Sequence, residues 1–547
     1  MFSLAVYERT CHDRLRHARS IRTFSLGAIR GFANRCSRLR SRCDRIRSVV
    51  KLDGVGRLHQ QVYRALLGEI LGGRLTSGER VPSTRHVAGL LKVSRNTALL
   101  AYEQLLAEGF ITPRSGAAGT VVAPVLPPDG YVARPTRRPR STRPGRLGAA
   151  PTLAAVGDRY VKSARACADG LGLPSLTWEL TPPTIRFDFR PGRASFGDLP
   201  YALWRRLLSA RARDAKVTDL EYGPPAGRRE LREAISTRLR RLRGLDADPD
   251  NIVVVNGTQQ ALDLISRVLL NPGDRVLMED PHYTGARCAF MAAGAELVFS
   301  PVDDDGLRVP PTAGGRRRFR LAYVTPSHQF PTGAVLSMER RLRLIAWAAR
   351  EGAFIVEDDY DGEYRYDGPP LQALTGMDRA GCTIYVGTFS KILFPALRLG
   401  YLVLPTPLVE PIVATKAIAD TGTPALVQLA LADFIAEGHF DRHLRRTTAS
   451  NAARRHALAA AIDGLFGNRA TVCGASAGLH LLVWLRGRHG GLIRDVHASA
   501  ERVGVGLFTV DPFYATPPKR TGILLGFAPL MPADIREGIR RLAGALK

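Results

Sequence analysis

Apolar residues return at helical spacing between Leu58 and Leu71, with Val62, Leu66, Leu67 and Ile70 on one face. Gly72-Gly73 ends that run, and Thr76-Ser77-Gly78-Glu79 predicts a turn. Ser83 is placed to cap a second helix whose apolar face is Val87, Leu90 and Leu91. Ser94 caps a third helix running to about Glu108, with Ala98, Tyr102, Leu105 and Leu106 facing inward. Gly109 stops it, and two short β-prone runs, Phe110 to Thr112 and Gly119 to Ala123, flank a Gly/Ser turn. Three helices and a hairpin in this order predict a winged helix-turn-helix; spacing alone would also allow a three-helix protein-binding module. In a winged helix-turn-helix the third helix enters the major groove. Ser94, Arg95, Asn96 and Thr97 then stand at its N-terminus, within reach of base edges or phosphates. Arg80 and Arg85 lie near the DNA backbone, and Ser83 and Thr84 complete the candidate DNA-binding set.

The pattern changes twice beyond the hairpin. Residues 124–184 are rich first in Pro and Arg (Arg134-Pro135-Thr136-Arg137-Arg138-Pro139-Arg140) and then in Ala and Gly, with weak helical hints. Such composition buries little surface and predicts a linker. From Ile185 to Lys547, apolar strands alternate with helical stretches, which predicts an α/β domain around a mostly parallel sheet with a smaller C-terminal subdomain. Its predicted strands are Asn251–Asn256, Val276–Met278, Leu321–Val324, Ala353–Val356 and Thr383–Val386. Helices are expected from Gly257 to Leu270 and over residues 338–350.

Composition adds two constraints. Lys and Arg total 78 against 50 acids, a formal charge of +28, which favours attraction to polyanions. Residues 1–50 contain only Glu8, Asp13 and Asp44 as acids and show no hydrophobic period. They read as a basic disordered arm or as sequence upstream of the true start, with no secretory signal. Seven scattered Cys without a Cys-x-x-Cys pair suggest neither a zinc ribbon nor a disulfide framework, and a reducing cytoplasm is expected. No apolar run is long enough for a membrane span.

Candidate chemistry collects at the predicted strands' carboxyl ends, where open α/β sheets bind ligands. Gly257-Thr258-Gln259 starts a helix whose N–H groups can hold an anion. Tyr283 can stack on a planar ring. Glu357-Asp358-Asp359 precede Tyr360; the run lacks calcium-loop spacing and His partners, so no metal is expected. Thr388, Ser390 and Lys391 follow the last strand, and Arg398 comes seven residues after the lysine. A desolvated Lys can form a Schiff base, a buried acid can keep a heteroaromatic nitrogen protonated, and Arg with hydroxyls can hold a phosphate. A phosphorylated pyridine aldehyde suits that set.

Arg80-Val81-Pro82-Ser83-Thr84-Arg85-His86-Val87-Ala88, Val93-Ser94-Arg95-Asn96-Thr97 and Tyr102–Ile111 closely resemble the GntR-type DNA-binding domain. The Lys391 stretch and its companions resemble the fold-type I aminotransferase domain. Joined, they resemble the MocR family of regulators that bind pyridoxal 5'-phosphate (PLP). The resemblance implies Lys391 as the Schiff-base lysine, Asp358 as partner of the pyridine nitrogen, Tyr360 as contact to the phenolic oxygen and Tyr283 as the stacking ring. Gly257, Thr258, Gln259, Thr388, Ser390 and Arg398 correspond to the phosphate cup. Tyr222, in Glu221-Tyr222-Gly223-Pro224-Pro225-Ala226-Gly227, corresponds to a tyrosine that reaches the partner subunit's phosphate, which implies a homodimer.

Two departures bear on activity. Phe330 stands before Pro331-Thr332-Gly333, where aminotransferases carry Asn, although His328-Gln329-Phe330-Pro331 is usual for the MocR family. The segment Phe508–Tyr514 contains no Arg to clamp a substrate carboxylate. The expected function is therefore a PLP-dependent DNA-binding transcriptional regulator that senses PLP or its adduct with an amine or amino acid. The alternatives are an aminotransferase with an accessory DNA-binding domain, or a regulator whose large domain is a cofactor-free scaffold.

Overall fold

The computed structural model describes residues 52–114, 119–123, 154–170, 184–312, 318–368, 371–486 and 495–546. The basic arm expected over residues 1–50 lies outside them. The chain divides into two compact units, Met1–Gly148 and Ala149–Lys547.

In the first unit, helices Leu58–Leu71, Thr84–Leu91 and Arg95–Ala107 precede an antiparallel hairpin of Ile111–Pro113 and Thr120–Val122. Ser83 Oγ accepts from the His86 N–H at 3.3 Å, and Ser94 Oγ accepts from the Thr97 N–H at 3.0 Å. Both caps therefore satisfy donors that the first helical turn leaves without a partner. Val62, Leu66, Ile70, Val87, Ala98, Leu105, Ile111 and Val122 close over one core. This is the expected winged helix-turn-helix.

In the second unit an eight-stranded sheet runs Ile252–Val255, Gly400–Val403, Thr383–Thr388, Phe354–Asp359, Phe319–Val324, Arg275–Asp280, Glu296–Asp303, Gly306–Leu307. The stretch from Thr383–Thr388 to Glu296–Asp303 is parallel, and Gly400–Val403 is antiparallel to both neighbours. Alternate residues of a strand enter opposite cores. Val253 and Val255 pack with Leu262 and Ile265 of helix Thr258–Leu269, whereas Ile252 and Val254 pack with Leu231 and Ile235 of helix Arg229–Arg243. Covering on both faces explains why these strands read as continuous apolar runs. A four-stranded antiparallel sheet, ordered Ala470–Cys473, His480–Leu485, Thr521–Gly526, Phe508–Thr509, forms the smaller subdomain. Helices His439–Phe466 and Pro532–Ala545 back it, with Leu458, Ile462, Ile535 and Ile539 against Leu481, Val483 and Ile523.

The expected linker needs one correction. Helix Ala155–Gly170 lies within residues 124–184 and is bound to the large unit. Tyr160 donates to Asp263 Oδ1 at 2.7 Å and Arg159 Nε to the Ala292 carbonyl at 3.3 Å. Its buried positions are small, Ser163 and Ala168, so close approach is made without the bulky apolar stripe that would mark it in sequence. Residues 124–153 and 171–183 lie outside the described residues. Among the described residues no helix is long and apolar enough to cross a membrane.

Candidate functional site

Strand Thr383–Thr388 delivers Lys391 at its carboxyl end, and the Lys391 ammonium donates to the Gly192 carbonyl at 2.9 Å. Gly192 has φ +97°, and a Cβ there would come within 3.4 Å of Lys391 Nζ, so the loop reaches over the lysine because it lacks a side chain. Burial pulls the Lys391 pKa below the usual lysine range, while Asp361 and Asp358 oppose that shift.

Strand Phe354–Asp359 presents the three acids, and packing gives each a different partner. Glu357 accepts from the Leu374 and Thr375 N–H groups, both at 2.8 Å, and so pins a turn. Asp359 Oδ2 pairs with Arg243 Nη2 at 2.6 Å and accepts from the Tyr385 hydroxyl at 2.5 Å. Asp358 Oδ2 accepts from the Tyr323 hydroxyl at 2.7 Å, while its Oδ1 is buried with no partner among the described residues. Burial pushes the Asp358 carboxyl up to about 7, against the pull of Tyr323 and Lys391. A buried acceptor with one oxygen unsatisfied suits a protonated ring nitrogen, which would supply the missing donor.

The candidate anion cradle lies where strand Ile252–Val255 turns into helix Thr258–Leu269. Gly257 caps that helix at φ +93°, and a Cβ there would meet the Arg398 guanidinium at 3.2 Å. Arg398, itself left-handed at φ +50°, donates from Nη2 to the Asn256 carbonyl at 2.7 Å and keeps an exposed face. Thr388 Oγ1 accepts from the Ser390 N–H at 3.2 Å, which tightens the turn before Lys391. Gln259 is exposed and donates to the Gly285 carbonyl at 3.1 Å, next to the tyrosine turn. These residues have the donors a phosphate needs: helix N–H groups, hydroxyls and a guanidinium.

Phe330 lies at the centre of an aromatic cluster. Its ring meets Tyr283 at 5.9 Å, Tyr360 at 6.0 Å, His480 at 5.4 Å and Phe513 at 5.2 Å, each edge to face. The Tyr283 ring lies against Gly285, where a Cβ would come within 2.5 Å of it. Tyr360 hydrogen-bonds His328 Nδ1 at 3.0 Å, and Asp361 and His480 lie buried beside that histidine. Glu279, buried and pushed up to about 7 by burial, accepts from Thr325 Oγ1 at 2.7 Å and from Gln329 Nε2 at 3.2 Å. Sequence reasoning missed Glu279, Asp361, His328 and His480 as members of this neighbourhood. The first three lie in or beside motifs already noted, but nothing local marks His480.

Tyr222 is the exception among the expected cofactor residues. It is 90% exposed and makes no hydrogen bond or ring contact with a described residue of its own chain. The other ten lie along one edge of the sheet: nine follow the carboxyl ends of strands or, for Asp358 and Thr388, stand within one, and Arg398 precedes the antiparallel strand Gly400–Val403.

In the first unit Ser94, Arg95 and Asn96 are exposed at the start of helix Arg95–Ala107, and Arg80 and Arg85 are exposed nearby in sequence. Thr97 Oγ1 lies 2.8 Å from Ser94 Oγ, so these hydroxyls serve the cap as well as any ligand. Thr84 opens the preceding helix after its Ser83 cap. In this fold the helix that begins at Arg95 is the one that enters the major groove.

Two families match the chain: "Bacterial regulatory proteins, gntR family" over residues 58–122 and "Aminotransferase class I and II" over residues 195–500. The "Probable rhizopine catabolism regulatory protein MocR" of Rhizobium meliloti is 39% identical over 493 residues, covering 89% of this chain and 93% of that protein. The transcriptional regulator TauR of Rhodobacter capsulatus is 33% identical, covering 90% and 97% respectively. Among solved structures, the α-aminoadipate aminotransferase LysN of Thermus thermophilus, complexed with N-(5'-phosphopyridoxyl)-L-leucine, matches at TM-score 0.61 and 26% identity, over 72% of this chain and 97% of that one. With both a GntR-type DNA-binding domain and an aminotransferase class I and II domain, and relatives that match along nearly their whole length, the chain belongs to the MocR family of transcriptional regulators.

Proposed function

We propose that this regulator holds PLP at the carboxyl ends of its large sheet and that PLP, alone or joined to an amine, alters its affinity for operator DNA. The observation that carries the reading is Asp358 Oδ1, a buried acceptor without a partner, in the same cluster of strand ends as Lys391 and the Gly257–Arg398 cradle. Bound there, PLP supplies an aldehyde that takes up amines and a pyridine ring that draws electrons. Lys391 offers the amine that attaches to the aldehyde, and Asp358 keeps the ring nitrogen protonated. Tyr283 covers the ring face, and Tyr360 donates to the phenolic oxygen. Gly257, Thr258, Gln259, Thr388, Ser390 and Arg398 hold the phosphate, and Tyr222 of a second copy completes the cup in a homodimer.

Sensing is favoured over turnover because no Arg lies in Phe508–Tyr514 and an apolar ring, Phe330, occupies the position of the polar Asn of aminotransferases. Without a bidentate clamp an α-amino acid is poorly oriented for proton transfer. A ligand shifts a regulator only by its differential affinity for two states. The test is a PLP titration of the purified protein, followed by visible absorbance and by binding to operator DNA in the same buffer. Absorbance without any change in operator affinity would show a bound cofactor that does not signal. Rapid exchange between amino acids and 2-oxoacids would favour the enzyme reading.

A further inference from the structure

His328 and Asp361 are each 1% exposed, and His480 is 3% exposed, in the wall behind Tyr360. His328 Nδ1 lies 3.0 Å from the Tyr360 hydroxyl, 3.1 Å from Asp361 Oδ2 and 3.3 Å from Asp361 Oδ1. The backbone is shaped around this arrangement. Gly478, at φ +74°, would put a Cβ 2.1 Å from His328 Cε1 and 2.6 Å from Asp361 Oδ2, and Gly333 would put one 3.0 Å from His328 Nε2.

The proton positions follow from these distances. A carboxylate facing a bare Nδ1 lone pair would set two acceptors against each other in a dry site, so Nδ1 carries the proton. That N–H donates to Asp361 and, in a shared bond, to the Tyr360 oxygen. Tyr360 therefore accepts from His328, and its own proton turns away from the histidine.

We propose that Asp361 and His328 form an orienting pair that aims the Tyr360 hydroxyl proton at the phenolic oxygen of the bound cofactor. This rests on the reading of Tyr360 given under the proposed function. His328 acts through Tyr360 and is a positioning residue. The charged and titratable groups facing the pair come from several elements: Asp358 and Asp359 from strand Phe354–Asp359, Glu279 from strand Arg275–Asp280, Lys391 after strand Thr383–Thr388, and His480 from strand His480–Leu485. His480 donates its bond elsewhere, through Nε2 to the Pro331 carbonyl at 3.2 Å, and burial lowers its pKa to about 4, so it stays neutral.

The experiment follows the visible absorbance of the PLP-loaded full-length protein against pH. A hydrogen bond donated to the phenolic oxygen favours the form in which the neighbouring nitrogen has lost its proton, so Tyr360→Phe raises the midpoint, by about one pH unit. His328→Ala is expected to raise it in the same direction. His328→Asn, whose Nδ2–H can stand where Nδ1–H was, is expected to restore it. In a Tyr360→Phe background His328→Ala should add nothing. A His328→Ala midpoint equal to the parent's while Tyr360→Phe moves it, or shifts that simply add, would overturn the pair. A second arm needs no cofactor: nitrogen NMR of histidine-labelled protein should give the Nδ1–H tautomer for the signal lost in His328→Asn. An Nε2–H tautomer, or a stoichiometric divalent metal on His328, Asp361 and His480, overturns the proposal, whereas a parent protein without a visible band but with the Nδ1–H tautomer sinks the cofactor reading and with it the target of the Tyr360 proton, and leaves only the Asp361–His328 hydrogen bond.

Discussion

Tyr323 donates its hydroxyl proton to Asp358 Oδ2 at 2.7 Å and leaves Asp358 Oδ1 buried without a partner. One phenol thus half-satisfies the carboxylate and leaves its other oxygen without a donor, which the ring nitrogen of the proposed cofactor would supply. Until that nitrogen arrives, the charge is expensive to bury.

That cost predicts a pH-dependent stability. The Asp358 pKa rises from 3.8 to about 7 on folding, chiefly through burial. The folded, cofactor-free protein therefore keeps a proton that the unfolded chain releases, and the stability this contributes is full below about pH 4 and lost as pH rises through 7. Asp358→Asn carries no such charge. Its stability relative to the parent should increase by roughly 2–4 kcal/mol between pH 4 and pH 8, read by urea unfolding of the cofactor-free proteins. A difference that does not vary with pH would show that Asp358 is not held protonated.

Lys391→Ala should lose the visible absorbance that the parent acquires with PLP, since Lys391 is the one lysine between Lys216 and Lys416 in the sequence. Its affinity for operator DNA without PLP should match the parent's. A Lys391→Ala protein that keeps the band would place the attachment elsewhere.

Arg243 and Asp359 form an ion pair at 2.6 Å with side chains 2% and 1% exposed. Burial lowers the Arg243 pKa, but Asp359, Tyr385, Glu357 and Glu363 more than reverse it, so the guanidinium stays charged. Arg243→Met leaves Asp359 as an uncompensated buried charge and should cost about 3–5 kcal/mol. Adding Asp359→Leu should recover part of that loss, and a double-mutant cycle in urea measures how much.

At the DNA-binding helix, Arg95→Ala should weaken operator binding by about 1–3 kcal/mol and reduce discrimination against altered half-sites. Ser94→Ala acts differently. It removes the bond to the Thr97 N–H and should cost the first unit about 0.5–2 kcal/mol of stability. Salt-titrated binding assays and thermal unfolding separate the two, and unchanged affinity and specificity in Arg95→Ala would mean that another element reads the bases.

Much of this organisation was legible in the chain because it depends on short-range rules. Helices Leu58–Leu71, Thr84–Leu91 and Arg95–Ala107 follow apolar spacing and two serine caps, and the central strands follow short apolar runs ended by Gly, Pro or acids. Lys391, Tyr283 and the Gly257 turn could be placed because each directly follows such a strand. Helix Ala155–Gly170 showed only as weak helical hints because small residues, rather than a bulky stripe, carry its contact.

The sequence by itself determined the two folds, the order of their elements and the gathering of Lys391, Asp358, Tyr360, Tyr283 and Arg398 at one edge of a sheet. The tertiary structure decided what each group does there. Glu357, Asp358 and Asp359 are chemically similar neighbours, and they differ only because Leu374 and Thr375, Tyr323, and Arg243 reach them from distant segments. Likewise Asp361 and His328 meet behind Tyr360 only after the strands have paired, with His480 brought in from the smaller subdomain. Strand and helix signals are local, whereas hydrogen-bond saturation and desolvation depend on what the whole fold packs against a given atom.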